Sequence, residues 1–161
     1  MQEEQRKGNK KMSMEKLFED IFEEMKSLLH FKEDIFSKRD NRIKGACVYL
    51  YTYIDGKQED CYRLTYNIKK FKNKADILIA IAHELGHIRK KHLTTDSYLS
   101  LTDKEYQAEA FALDVIKKYY NSYYLRAIDS LTDYINGTNK IYAVAFQKLY
   151  DERRKELHEK E

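Results

Sequence analysis

The chain has 161 residues and a formal net charge of +3, with 42% hydrophobic and 35% charged residues. This composition is that of a globular protein and excludes an intrinsically disordered chain. The small net charge, without basic residues interleaved with aromatic ones, argues against nucleic-acid binding. No segment approaches the roughly 18 apolar residues of a membrane span, so neither a signal peptide nor membrane attachment is expected. We therefore expect a cytoplasmic protein with a disordered leader at residues 1–11 and a single domain at residues 12–161.

The first predicted element is an amphipathic helix that begins at Ser13, whose hydroxyl suits an N-cap. Apolar residues from Leu17 to Leu29 recur at helical spacing, which is typical of a helix that contributes one face to a hydrophobic core. The pattern extends the helix to about His30 or, at most, to Phe36. His30 stands alone in this stretch, and no functional role is predicted for it.

A β-hairpin is predicted next, because helical spacing of the apolar residues gives way to alternation. Residues 43–54 and 61–68 both alternate in this way, as strands do, and the Asp-Gly pair between them is a strong turn signal. A lone hairpin is barely stable, so we expect it to pack on helices together with a further short strand. Cys47 and Cys61 fall within the hairpin and are expected as thiols packed in a sheet.

Four more helices are predicted in the second half of the chain. Asn73 is the expected N-cap of the first, Thr102 and Glu105 fit a capping box for the second, and Thr138 is the expected cap of the last. These helices are predicted over residues 73–92, 106–120, 123–135 and 141–157. The sequence therefore predicts an α+β fold, mostly helical, with an antiparallel hairpin or small sheet packed beside the helix that follows Asn73.

That helix contains the sequence His-Glu-x-x-His at residues 83–87. Residues four apart lie on the same face of a helix, so His83 and His87 can reach one metal ion. Glu84 projects beside them, where it can act on water without being a ligand, as in the metallopeptidases that carry this motif. Gly86 costs about 1 kcal/mol relative to Ala in a helix interior, which indicates that close packing requires it.

Two histidines do not complete a catalytic zinc site, which usually has three protein ligands. His92 does not fit the metzincin pattern, because it lies five residues after His87 where six are needed. A carboxylate from a later helix is the remaining choice, and Glu105 and Glu109 share one helical face, so the spacing allows either. A different interpretation makes Glu105 only a capping residue, in a helical interaction protein whose motif histidines belong to the core.

Two motifs together carry a family resemblance: His-Glu-Leu-Gly-His at residues 83–87 and Glu-x-x-Ala-Glu-x-Phe-Ala at residues 105–112. They resemble the gluzincin metallopeptidases, and most closely the ImmA/IrrE family. The local motif is also similar to that of the HtpX and CAAX prenyl protease group, whose members are embedded in membranes. The resemblance covers roughly residues 43–120. The chain departs from the family at Glu109, where Asp or Asn is usual, and it lacks the Leu-Met-Pro run that often follows residue 112.

The resemblance implies a small gluzincin-like domain that holds one Zn²⁺ per chain. By this resemblance, His83, His87 and Glu105 bind the zinc and Glu84 is the catalytic base. Glu109 then accepts a hydrogen bond from a ligand histidine.

The resemblance also implies the reaction and the kind of partner. The protein is expected to be a zinc endopeptidase that cleaves a protein or peptide substrate, such as a transcriptional repressor of a mobile element or of a stress response. A hydrogen-bond donor for the oxyanion is also needed, and Tyr98 and His92 are both candidates. The alternative is a zinc-containing regulatory or protein-interaction module that cleaves nothing.

Overall fold

The computed structural model describes residues 13–54, 57–94 and 97–159. The predicted leader and the predicted Asp-Gly turn therefore lie outside the described residues. Within them the chain forms an α+β fold of five helices and a three-stranded sheet, which confirms the predicted fold class. The elements are α1 (Met14–Leu28), β1 (Asp34–Arg39), β2 (Ala46–Ile54), β3 (Lys57–Tyr66), α2 (Lys74–Arg89), α3 (Leu101–Tyr119), α4 (Tyr124–Ile135) and α5 (Lys140–Glu159), with short 3₁₀ turns at Ile68–Lys70 and Asn121–Tyr123.

Helix α1 begins as predicted but ends earlier than the longest prediction. The hydroxyl of Ser13 accepts a hydrogen bond from the amide of Lys16 at 3.1 Å. The helix stops at Leu28, and His30 takes a left-handed conformation with φ 53°, which turns the chain away from the helix axis. The extension to Phe36 is therefore wrong, because this residue lies in strand β1.

The sheet has the order β1-β3-β2. Strands β2 and β3 pair antiparallel, which confirms the hairpin, and β1 is the further short strand, paired parallel to β3. Cys47 and Cys61 lie on β2 and β3 as predicted. Strand β2 is an edge of this sheet and also packs against helix α2. The helix that carries the His-Glu-x-x-His motif therefore packs against an edge strand of the sheet.

Two helix caps differ from those predicted. Helix α3 begins at Leu101 because the hydroxyl of Ser100 accepts a hydrogen bond from the amide of Asp103 at 3.1 Å. The predicted capping box is wrong, since Thr102 already lies inside the helix. Helix α5 is capped by the side chain of Asn139, which accepts hydrogen bonds from two amides of the first turn, and not by Thr138. The predicted cap of α2 is confirmed, as Asn73 accepts from the amide of Asp76 at 3.0 Å.

Helices α2 and α3 pack closely at Gly86. A Cβ at this position would lie 2.8 Å from the carbonyl oxygen of Ala108 and 3.1 Å from Cδ1 of Phe111. The fully buried Ala108 and Ala112 keep the facing side of α3 small. This confirms the packing reason predicted for the glycine, and the close approach brings Glu105 and Glu109 of α3 next to the histidines of α2.

The hydrophobic core forms where the sheet meets the helices. Helix α2 is buried on most of its surface, with Ile77, Leu78, Ile81 and Leu85 inaccessible to solvent. Helices α1, α4 and α5 complete the enclosure with Phe18, Ile128 and Phe146. In the described part of the chain no helix combines the length and the apolar character needed to cross a bilayer.

Candidate metal centre

Three side chains from two helices converge at one point. His83 and His87 lie one turn apart on α2, and their Nε2 atoms are 3.1 Å from each other. The carboxylate of Glu105, on α3, lies between them, with Oε2 at 2.8 Å from His83 Nε2 and Oε1 at 3.3 Å from His87 Nε2. All three side chains are largely buried, so the lone pairs of the two imidazole nitrogens and of the carboxylate oxygens are shielded from bulk water.

This arrangement fits a tetrahedral zinc ion. Zinc binds His nitrogen and carboxylate oxygen at about 2.0–2.2 Å, so two ligands of a tetrahedron stand about 3.3 Å apart. The three separations here are 3.1, 2.8 and 3.3 Å. The donor set of two imidazoles and one carboxylate is that of a catalytic site, which leaves the fourth position open. The residues present therefore fit the zinc site that the motif predicts.

The electrostatics of the cluster favour a cation. Burial lowers the pKa of His83, but contacts with Glu105 and Glu109 outweigh it and hold that pKa well above its ordinary value. Burial raises the pKa of Glu105, but the two histidines outweigh it and lower that pKa to about 2. The carboxylate therefore stays ionised, and the cluster attracts positive charge to the point where the imidazole nitrogens meet.

Glu84 lies beside the two histidines and not between them. One of its carboxylate oxygens and the ligand nitrogens of His83 and His87 all lie within 4.8 Å of one another. The side chain is buried, and burial raises its pKa to about 7. A carboxyl group whose pKa lies near neutrality both accepts and returns a proton readily, which suits a general base.

Glu109 approaches the opposite side of the His83 ring. Its Oε2 lies 3.2 Å from His83 Nδ1, and its carboxylate is only 2% exposed. Among the described residues, His83 Nδ1 and Glu109 Oε1 are buried atoms that complete no hydrogen bond. A small rotation of the ring would allow Nδ1 to donate to this carboxylate. The structure thus separates the two glutamates that spacing alone left equivalent: Glu105 faces Nε2 of His83, towards His87, and Glu109 faces Nδ1 on the other side of the ring.

The capping interpretation of Glu105 is wrong. Because Ser100 is the N-cap of α3, Glu105 lies beyond the first three helical positions and its carboxylate is held by the two histidines. The alternative of an interaction protein therefore no longer has a capping role for Glu105, whose carboxylate contacts the two histidines instead.

The two predicted oxyanion donors differ in their surroundings, since Tyr98 is exposed to solvent and His92 lies behind His87. Tyr98 is 95% exposed, so its side chain packs against nothing. His92 is buried, and its Nδ1 lies 2.9 Å from Nδ1 of His87, which is the nitrogen that points away from Glu105. Nε2 of His92 in turn lies 2.9 Å from Oε1 of Gln107. The spacing of His92 from His87 argued against a role as a metal ligand, but it gave no indication that the two histidine side chains are in contact.

Tyr142 of α5 is a site residue that the sequence analysis did not identify. Burial, together with the charges of Glu105 and Glu84, raises its pKa to about 12. Its hydroxyl therefore keeps its proton at neutral pH. The ring centroid of Tyr142 lies 5.6 Å from that of Phe146, whose ring in turn lies 6.3 Å from that of His83. No local pattern marks this residue, because only the packing of α5 on α3 brings it to the site.

The sheet edge also borders the site. Cys47 on β2 is half-buried, and its thiol pKa is raised by burial and, less strongly, by the charge of Glu84. Strand β2 packs against the helix that carries Glu84.

No family model matches the chain, and neither a curated protein nor a solved structure is significantly similar to it.

Proposed function

We propose that the protein is a zinc-dependent metallopeptidase, and specifically an endopeptidase. The observation that carries this proposal is the convergence of His83, His87 and Glu105 at zinc-ligand spacing, with the buried Glu84 beside them. The two motifs that resemble the ImmA/IrrE family support the same activity. We expect one Zn²⁺ per chain, held by the three ligands, while Glu109 orients His83.

The chain's own residues divide the chemistry between them. Zinc, when bound, supplies the Lewis acidity that polarises a peptide carbonyl and makes water easier to deprotonate. Glu84 accepts a proton from the attacking water and delivers it to the departing amide nitrogen, so that it ends the cycle unprotonated. The protonated hydroxyl of Tyr142 is our candidate donor to the oxyanion, in place of Tyr98 and His92.

Strand β2 is the proposed binding surface for the substrate chain. It is an edge strand that packs against the motif helix, and an extended peptide that pairs with its free edge would gain backbone hydrogen bonds regardless of the peptide's sequence. A segment so bound would run past Glu84 and the metal. By resemblance, we propose that the substrate is a cytoplasmic regulatory protein such as a transcriptional repressor.

The proposal is tested by comparing the zinc-loaded protein with its Glu84→Gln variant. Gln matches the shape of Glu but cannot accept the proton, so the variant should keep the fold and the zinc and lose cleavage. Each is incubated with a peptide library and with the proteins encoded beside its gene, and new amino termini are identified by mass spectrometry. Cleavage that requires both zinc and Glu84 supports the peptidase. Equal cleavage by both proteins, or none by the zinc-loaded wild type, would favour a zinc module without catalysis.

A further inference from the structure

The side of His87 that faces away from Glu105 is held by a second histidine. His92 follows α2 in a tight turn, in which its own amide donates to the carbonyl of His87 at 3.0 Å. Lys91 makes this turn possible with a left-handed φ of 57°, a conformation that is unfavourable for residues other than glycine. The backbone is therefore strained at the turn that brings His92 against His87.

The side chain of His92 has contacts at both ring nitrogens. Nδ1 lies 2.9 Å from His87 Nδ1, and Nε2 lies 2.9 Å from Oε1 of Gln107. The ring is only 4% exposed, so water does not substitute for these partners. Two neutral imidazoles in such contact share one proton in the hydrogen bond, and one of them must be the donor.

The Gln107 carbonyl decides which histidine donates. An amide oxygen only accepts, so His92 must carry its proton at Nε2 and present a lone pair at Nδ1. His87 then donates from Nδ1, and its Nε2 is left with a free lone pair directed towards His83 and Glu105. If His92 instead donated from Nδ1, His87 would accept at its own Nδ1 and carry its proton on Nε2, the atom that must bind the metal.

We propose that His92 is a positioning residue, which together with Gln107 fixes His87 in the tautomer and ring orientation that binds zinc. This inference rests on the proposed metal centre and assigns to His87 the support that Glu109 gives to His83. The two ligands differ in that support, because His83 is backed by a carboxylate and His87 by a neutral imidazole. His92 itself touches neither the substrate nor the metal.

The test compares two substitutions of His92 in the full-length protein. His92→Leu fills similar space but removes the acceptor, so zinc affinity against a competing chelator should fall about 10–100-fold, as for other residues that orient a ligand. His92→Asn places an amide oxygen where Nδ1 stood and should keep the affinity within about threefold of wild type. His30→Asn removes an exposed histidine far from the cluster and should bind zinc as the wild type does.

A spectroscopic measurement on the unmutated protein keeps the inference testable if a variant fails to fold. Long-range ¹H–¹⁵N correlation spectra of the zinc-loaded protein should show His92 protonated at Nε2 and His87 protonated at Nδ1. A proton on Nδ1 of His92, or unchanged zinc affinity in a folded His92→Leu variant, would overturn the inference while leaving the metal centre in place. A wild-type protein that binds no zinc would overturn the metal centre and this inference with it.

Discussion

At the scale of single residues, the metal centre depends on which atom of His83 each glutamate faces. Glu105 lies 2.8 Å from Nε2, and Glu109 lies 3.2 Å from Nδ1, although the two are only one helical turn apart. Only one nitrogen of an imidazole binds a given metal, while the other is free to donate a hydrogen bond. The two glutamates are therefore distinguished by geometry, and we propose Glu105 as the ligand and Glu109 as the carboxylate that supports His83.

The first prediction follows from this difference. Glu105→Ala should lose nearly all zinc affinity, since it leaves two protein ligands, whereas Glu109→Ala should weaken zinc about 10–100-fold. Asp103→Ala is the matched control, because this exposed carboxylate lies in the first turn of the same helix and faces no ligand. Titration against a competing chelator measures all three. A larger loss for Glu109→Ala than for Glu105→Ala would reverse the assignment.

At the scale of the helices, the site requires that α2 and α3 approach closely at Gly86. The second prediction is that Gly86→Ala destabilises the protein, because the new Cβ would lie 2.8 Å from backbone of Ala108. Overpacking costs about 1–3 kcal/mol, which exceeds the roughly 1 kcal/mol that Ala gains as a helix former. If the new Cβ pushes α2 and α3 apart, zinc affinity should also fall, because the proposed ligands come from both helices.

Gly45→Ala is the control for this substitution. A Cβ at Gly45 would meet nothing within 4 Å, so this variant should unfold in urea at the wild-type midpoint and bind zinc normally. If Gly86→Ala proves as stable as wild type with unchanged zinc affinity, the close approach of the helices does not position the ligands.

The third prediction concerns the contact between α3 and α5. The hydroxyl of Tyr106 donates to Glu152 Oε2 at 2.5 Å, and burial together with this hydrogen bond raises the pKa of Tyr106 to about 12. A tyrosine in the unfolded chain has a pKa of about 10, so the unfolded state loses its proton first as pH rises. The stabilisation is therefore complete below about pH 10 and declines up to about pH 12.

Urea unfolding at a series of alkaline pH values measures this effect. The free energy of unfolding of Tyr106→Phe should fall less steeply with pH than that of wild type, because one linked proton is gone. Tyr98→Phe, which alters an exposed tyrosine, should follow the wild-type slope. Identical slopes for Tyr106→Phe and wild type would show that Tyr106 titrates normally and does not link the two helices through this proton.

The same elements show how far the sequence predicts the fold. Local signals were sufficient at Ser13 and Asn73, because a side chain that caps a helix acts within three residues of itself. The cap of α3 was placed wrongly because Ser100 and Thr102 offer similar hydroxyls and only the chain path selects between them. A further short strand was expected, but its position at Asp34–Arg39 was not predicted, because β1 pairs with β3 in parallel and is distant from it in sequence.

The candidate site likewise has some features that local sequence patterns predict and others that depend on tertiary packing. The two histidines and Glu84 lie on one helix, so a period of 3.6 residues was enough to group them. His92 needed the left-handed turn at Lys91, and Tyr142 needed the packing of α5 across α3, neither of which leaves a local pattern. Residue spacing therefore grouped His83, Glu84 and His87 but left Glu105 and Glu109 equivalent, and only the tertiary structure shows His92 against His87.

At the scale of the whole molecule, the cluster lies on α2 and α3, with β2 packed against α2 and α5 packed against α3. Helix α2 carries His83, Glu84 and His87, and α3 carries Glu105. We propose that β2 offers a strand edge for the substrate and that α5 supplies the hydroxyl of Tyr142. A wrong packing of any one of these elements would separate the ligands or close the binding edge. The central claim is therefore that this fold holds a single metal ion at the junction.

Metal analysis of the purified protein tests that claim most directly. The zinc content is measured by elemental analysis after reconstitution and removal of unbound metal, for wild type and for a His83→Ala, His87→Ala double variant of matched concentration. The account predicts about one zinc per wild-type chain, as for a three-ligand catalytic site, and almost none in the double variant. A wild-type protein without zinc, even after refolding in its presence, or a double variant that holds as much, would contradict it.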